Sequence, residues 1–445
     1  MSTEQAIDIP QGYKMTELGL LPEEWQVVRL GEVSSESYSG GTPSSKVPHY
    51  WNGKIPWTTT ATINEKDVFL DKFIRFISEE GLRRSSSKIA PKRSVLVGTR
   101  VGVGKVVVTN FDIAINQDIT VLIFTSDLVP EFFAYLAKTA LVQKHFNDRK
   151  RGATIKGIPR EDLLYLSIPL PPLPEQQAIA HVLQTVQDAK EKIEGVIQAA
   201  KELKKSLLKY LFSYGPVPVE DAEKIPLKET EIGLVPEEWQ VVRLGEVAER
   251  PTYGLTTTAT SSLTPYKLLR ISDIQDGRIN WENVPFCEFD EPPKEKYILK
   301  KNDIVIARIG ATTGKAIQYK KGPITLFASY LIRIRTKQPL ESNFLINFFC
   351  TDFYWKQINE QKGGRLKKGV NIPIINNLLI TLPSLHIQQR IADILSTVDE
   401  RIESAENKKH ALETLFKTLL SRLMSGKIRV NRSHGLVNEV EYEKG

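Results

Sequence analysis

Apolar positions along this chain fall into one long helical stripe, which then returns in a second copy. From Ile179, apolar or small residues recur at Val182, Val186, Ala189, Ile193, Val196, Ala200, Leu203, Leu207 and Tyr210. The steps alternate between three and four, the spacing of a seam that packs against another helix. Prolines (Pro171, Pro172, Pro174) and the acidic Glu175 supply start signals, and Gly215-Pro216 supplies a stop. At 1.5 Å per residue, a helix of about 39 residues is roughly 58 Å long and reads as a strut. The same pattern lies 212 positions later without a gap. Gln176-Gln177 meets Gln388-Gln389, Ile179 meets Ile391, Leu183 meets Leu395, and Leu203, Leu207, Leu208 and Leu211 meet Leu415, Leu419, Leu420 and Leu423. Half a seam carried twice can satisfy itself, so the expectation is an intramolecular antiparallel coiled coil. The alternative is two separate amphipathic helices, each lying on its own domain.

Between the stripes the pattern changes to short apolar runs bounded by turn residues. Ile55–Ile63 is strand-like, and 94–108 reads as two strands around a glycine-rich turn, followed by a third strand at 119–124 and a helix at 131–146. The second half repeats this skeleton at 268–274, 303–315, 331–335 and 343–357. A preceding segment, Thr16 to Val33, recurs as Thr230 to Val247 with sixteen identities in eighteen, which chance cannot produce. The expected fold is therefore α+β: two globular domains separated by two long helices, related by an internal pseudo-twofold duplication. The boundaries read as 1–170 for the first domain, 171–214 for its helix, 215–383 for the second domain, 384–426 for its helix, and 427–445 for a tail.

Composition narrows the class. The chain has 445 residues, 41% of them apolar, enough for two cores. It has no run of 18 apolar residues and no apolar leader, so neither a membrane span nor a signal peptide is expected. Two well-separated cysteines, Cys287 and Cys350, fit a reducing cytoplasm and exclude a cysteine zinc motif. A net charge of +7 permits a nucleic-acid partner without requiring one.

Catalytic signatures are missing. The glycine-rich stretches 98–105 and 310–315 lack the first glycine of a phosphate loop (Thr99 and Ile309 stand there). They also lack Ser or Thr after the lysine (Val106 and Ala316), so they read as strand-connecting turns. The six histidines, His49, His145, His181, His386, His410 and His434, form no metal-binding pair, and no metal is expected. No nucleophile elbow, dinucleotide fingerprint or Asn/Asp-Pro-Pro-Tyr/Phe methyltransferase loop occurs. Basic clusters remain. Lys88, Lys92 and Arg93 flank the central strands of the first domain. Lys150, Arg151 and Lys156 precede the first strut, with Lys362, Arg365, Lys367 and Lys368 as their counterpart in the second half. Arg100 and Arg308 place an Arg-x-Gly before each glycine turn, ahead of Lys105 and Lys315. Cationic glycine-containing loops at matching places suit DNA phosphates, although a single charge run is more often only solvated surface.

These motifs together resemble the DNA-specificity subunit of type I restriction-modification systems. The match is carried by Ile168-Pro-Leu-Pro-Pro-Leu-Pro-Glu-Gln-Gln-Ala-Ile-Ala180 and its second copy, Leu382-Pro-Ser-Leu-His-Ile-Gln-Gln-Arg-Ile-Ala392. Gly40-Gly-Thr-Pro43, Tyr50-Trp51, Ile55-Pro-Trp57 and Asn116-Gln117 add to it. The second copy departs at His386-Ile387, where Pro-Glu is usual. The resemblance implies target-recognition domains that each read one half of a split double-stranded DNA site, with the helices setting the gap. It implies no activity and no cofactor for this chain. Two methyltransferase subunits carrying S-adenosylmethionine would be its partners, with nuclease-translocase subunits as possible additions. Base reading is expected from Thr58, Thr59, Thr60 and Arg100 in the first domain, and from Arg270, Ser272, Asp273 and Arg308 in the second. Two other readings stay open: the recognition portion of a self-sufficient methyltransferase or restriction enzyme, and a coiled-coil scaffold without a DNA role.

Overall fold

The computed structural model describes residues 9–152, 156–275, 277–288, 293–362, 369–431 and 435–439. The fold divides into two compact units, Met1–Ile193 with Lys408–Gly445, and Glu194–Asn407. Each opens with the same device. Tyr13–Thr16 pairs antiparallel with Gly19–Pro22, and Leu227–Thr230 with Gly233–Pro236. The tight turns need the positive φ of Gly19 (95°) and Gly233 (122°). Next, Gln26–Arg29 pairs with Ser167–Leu170, the strand directly before the first strut, and Gln240–Arg243 pairs with Leu379–Leu382 before the second. The duplicated segment thus ties the start of each variable body to its end. Everything between is free to differ in sequence while the ladder holds its two ends at a fixed spacing.

The first body contains two sheets. Ser34–Ser39, Ile119–Phe124, Val95–Gly98, Val106–Thr109 and Phe69–Leu70 form one; Arg75–Ile77, Ile55–Thr58, Ile113–Ile115 and Lys88–Ala90 form the other. Strand alternation divides the apolar residues between two faces. Leu96, Val107 and Val121 join Ile113 and Ile115 in a core between the sheets. Val95, Val97, Val106 and Val108 face the other way, onto Phe132, Phe133, Val142 and Phe146. The second body repeats this with Ile304, Ile306, Ile332 and Ile334 against Phe344 and Phe348, and Val305, Ala307 and Leu331 on the opposite face. The helix expected at 131–146 is broken into Pro130–Leu136 and Ala140–Asp148, and that at 343–357 into Ser342–Phe348 and Asp352–Lys362. The cause is the same in both. Thr139 and Thr351 each donate a hydroxyl hydrogen bond, 2.7 Å, to a carbonyl three residues back, of Leu136 and Phe348. Such local bonding competes with the helical ladder.

The struts are Leu173–Tyr214 and Leu385–Met424, of 42 and 40 residues. In the first unit, Ile179 and Leu183 share a core with Leu423 and Leu419, and the Lys190 ammonium lies 4.9 Å over the Phe416 ring. In the second, Leu208 and Leu211 share a core with Leu395 and Ile391, Lys204 bonds Asp399 at 2.6 Å, and Lys201 pairs with Glu406 at 2.8 Å. Numbers on one helix fall as those on the other rise, so the pairing is antiparallel within each unit. The expected seam is displaced by one residue in its middle. Val196 and Leu203 are 55% and 52% exposed, while Ile197 is buried and Lys204 takes the inward place beside Asp399. An ion pair at a seam position misleads a reading based on apolar spacing alone.

Gln176 and Gln388 explain why glutamine recurs at the head of each strut. Both are fully buried. Gln176 accepts from the Val129 amide (2.8 Å) and donates to the carbonyls of Asp127 (2.8 Å) and Pro171 (2.9 Å). Gln388 accepts from Glu341 (2.9 Å) and donates to Pro339 (3.0 Å) and Pro383 (2.9 Å). One amide fastens body to strut through three backbone partners, and does so twice.

Candidate nucleic-acid interface

Each body carries one glycine turn at the end of a fully buried strand. In the first, the Gly98 amide donates to Lys105 (2.8 Å) and the Gly104 amide to Gly98 (3.1 Å). In the second, Ala307 donates to Lys315 (2.9 Å) and Gly314 to Ala307 (2.8 Å). A helix supports each turn from behind: Gln143 donates to the Gly104 carbonyl (2.9 Å), and the Tyr354 hydroxyl to the Gly314 carbonyl (2.6 Å). The segment that follows each basic run docks here too. The Ile158 amide donates to Thr99 (2.7 Å) and the Val370 amide to Arg308 (2.8 Å). A Cβ on Gly157 would come within 2.8 Å of the Thr99 carbonyl, and one on Gly369 within 2.4 Å of the Arg308 carbonyl, so both approaches require glycine.

This register corrects one equivalence. Thr99 donates its amide to Asp118 (2.8 Å) and accepts from Ile158; Arg308 donates to Tyr330 (3.0 Å) and accepts from Val370. Arg308 therefore matches Thr99, not Arg100. Arg100 is half exposed and lies 4.0 Å from Asp118, whereas the Arg308 guanidinium lies 4.7 Å over the Tyr253 ring. The two cations share a loop and differ in place.

The remaining expected residues divide by location. At the first turn Thr60 lies against Gly98 and Gly102, Arg151 bridges to Gly157 beside Arg100, and Lys88 stands level with Thr58 on the neighbouring sheet. Thr58 and Thr60 are buried, and the Thr58 hydroxyl bonds Thr62 at 2.5 Å, so these two shape the loop from inside. Thr59 caps the short turn that follows, accepting from the Ala61 amide (3.2 Å). Lys88 pairs with Ile115 level with Thr58, its ammonium 5.3 Å from the Tyr38 ring. Lys105 donates to the Ile63 carbonyl (2.9 Å) and Lys150 to Asn147 (2.7 Å). Arg151 pairs with Asp162 at 2.8 Å yet stays mostly exposed, and Lys156 is exposed. Lys92 and Arg93 stand at the other end of Val95–Gly98, where Arg93 pairs with Glu131 at 3.0 Å.

In the second body, Asp273 is buried and holds Arg270 through both oxygens, at 3.1 and 2.7 Å, with the Ser272 hydroxyl on it at 3.2 Å. Hydrogen bonding to Asp273 raises the Arg270 pKa above its ordinary value, against a smaller opposing effect of burial. That pair serves the internal turn. Lys315 is exposed beside the glycine turn. Arg365, Lys367, Lys368 and the side chain of Lys362 lie outside the described residues. Tyr253, beneath Arg308, was invisible to motif reading, because it lies 55 positions earlier in a two-residue strand. Among the described residues no group of His, Cys, Asp and Glu could hold a metal ion, and no helix is long and apolar enough to cross a membrane.

Twin domains of variable sequence are each closed by a ladder of the same register directly before a strut, and each carries a matching glycine turn. The chain belongs to the type I restriction modification DNA specificity domain family, whose profile matches it twice, at residues 22–202 and 236–414. It is a specificity subunit of the type I restriction-modification class. It is 26% identical to the type I restriction enzyme MjaVIII specificity subunit of Methanocaldococcus jannaschii, over 92% of this chain and 94% of that one. It is 22% identical to the EcoKI specificity subunit of Escherichia coli K12, over 92% and 90%. The fold matches the crystal structure of the type I restriction-modification S subunit from M. genitalium with a TM-score of 0.60 at 16% identity, covering 94% of this chain and 98% of the other.

Proposed function

We propose that this chain recognises an asymmetric, bipartite double-stranded DNA site, each head reading one half and the paired struts setting the gap. The heads correspond to residues 1–170 and 215–383. The observation that carries this reading is the twin glycine turn with the segment that follows each basic run docked on it: one scaffold, built twice, displaying different side chains. Phosphate contacts from Lys88, Arg100, Lys105, Lys150, Arg151, Lys156 and Lys315 would fix register, and base contacts from the loop side chains would supply sequence. The chain performs no chemistry itself. It recruits two methyltransferase subunits, and nuclease-translocase subunits where these are present, and so directs methylation to its site.

Base-modification sequencing of the source genome, with the gene intact and deleted, tests this. The expected result is loss of methylation at one split motif on deletion; an unchanged map would overturn the reading. Inserting one heptad into each strut should lengthen the gap and preserve both half-sites. A constant gap would remove the struts from that role.

A further inference from the structure

We propose that Arg308 reads a guanine in the half-site of the second head, and that Tyr253 is the platform that holds its guanidinium ready. This rests on the recognition role argued above and goes further by naming a residue, its support and a base edge.

A guanidinium carries five N–H donors and normally finds carboxylates or carbonyls for several of them. Arg308 donates through one terminal nitrogen to the Ser329 carbonyl, at a long 3.4 Å. Its Nε is buried and has no hydrogen-bond partner among the described residues. No carboxylate pairs with it there, in contrast to Arg270 on Asp273 and Arg335 on Asp303. Among the described residues its Nε thus stays unmatched, and a buried unmatched donor is unfavourable.

The group is nevertheless held in place. The guanidinium lies 4.7 Å over the Tyr253 ring, whose hydroxyl is anchored by the Ile372 amide at 3.1 Å. Tyr253 is itself fixed by strand pairing with Ile332. On either side, the backbone of Arg308 is pinned by Tyr330 and Val370. A planar fork, oriented on an aromatic face and lacking a carboxylate, suits two coplanar acceptors such as O6 and N7 of guanine in the major groove. A phosphate needs no such orientation, and exposed Lys315 already supplies charge at this turn. The first head has nothing comparable at this position. Its counterpart, Thr99, is satisfied internally by Thr120 (2.9 Å) and the Asp118 carbonyl (3.4 Å).

The test complements a deletion strain, partner subunits intact, with full-length wild type, Arg308→Gln, Arg308→Lys, Tyr253→Leu and Tyr253→Phe, and maps methylated motifs. The expected result for Arg308→Gln is that one G·C position in one half-site becomes degenerate, discrimination there falling roughly ten- to hundredfold, with the other half-site and the gap unchanged. Arg308→Lys relaxes the same position, since an ammonium cannot fork. Tyr253→Leu relaxes it less, and Tyr253→Phe keeps it. An unchanged motif with uniformly weaker methylation and a shallower salt dependence of DNA binding would make Arg308 a phosphate contact and overturn the proposal. So would an unchanged motif with Arg308→Lys folded, as judged by thermal melting, even if Arg308→Gln unfolds. If the wild-type chain directs no split motif, the recognition reading itself fails and this inference falls with it.

Discussion

Trp25 and Trp239 hold the same place in two nearly identical opening segments, yet they meet different neighbours. In the first unit the Trp25 indole donates to Glu175 (2.9 Å), and Glu175 receives both ends of the Arg429 guanidinium, at 2.6 and 2.9 Å. Arg429 also reaches Glu24 at 2.8 Å, and these carboxylates raise its pKa despite partial burial. In the second unit the counterpart of Glu175 is Ile387, which packs against the apolar core, and, counted from the equivalent glycines Gly215 and Gly426 that follow the struts beside Trp239 and Trp25, the counterpart of Arg429 is Pro218. The departure from the family motif at His386-Ile387 is thus half of a coordinated change. A buried carboxylate persists where a cation arrives to meet it, and an aliphatic side chain stands where none does. Duplication preserved the scaffold; the segment following each strut decided whether its clamp is ionic or apolar.

The features common to both units should give the largest effect. Gln176→Leu and Gln388→Leu each strand three backbone groups, and each should cost on the order of 3 kcal/mol, read as a lower midpoint in thermal melts of the full chain. A large loss from only one substitution would show that the two clamps are not equivalent. The feature that distinguishes the units comes next. Glu175→Ile should cost about 2 kcal/mol, and Ile387→Glu a similar amount, because each leaves an unmatched group. Adding Pro218→Arg to Ile387→Glu should recover part of that loss; no recovery would mean the two changes are independent.

The smallest effect concerns Lys138, whose counterpart is Cys350. Lys138 donates to the carbonyls of Glu65 and Asp67, both at 2.7 Å, and burial lowers its pKa to about 8. Its folded pKa lies below its unfolded value, so the unfolded chain binds more protons between these pKa values. Its contribution to stability is therefore unfavourable below about pH 8 and recovers as pH rises from about 8 to 10.5. Urea melts across that window should show wild type gaining on Lys138→Met by at most about 1.4 kcal/mol per pH unit. A constant difference would mean the lysine does not titrate there.

Much of this architecture was legible in one dimension. The strut pattern and the Thr16–Val33 repeat are local signals, set by helical period and by identity, and both mark true elements. The glycine turns were legible as turns because the phosphate-loop positions were filled wrongly. The candidate site was read less completely. Thr58 and Thr60 proved to be buried, Arg270 closes on Asp273, and Arg93 belongs to the far end of its strand, since exposure and partner choice depend on residues distant in sequence.

The sequence by itself determined the duplication, the paired helices and the family, because repeats and periodicity survive without knowledge of what packs where. Only the tertiary structure decided that Arg308 corresponds to Thr99, that the strut seam runs through Ile197 and Lys204, and that Gln176 and Gln388 are clamps. Each of those depends on a hydrogen bond or contact formed between segments that only folding brings together.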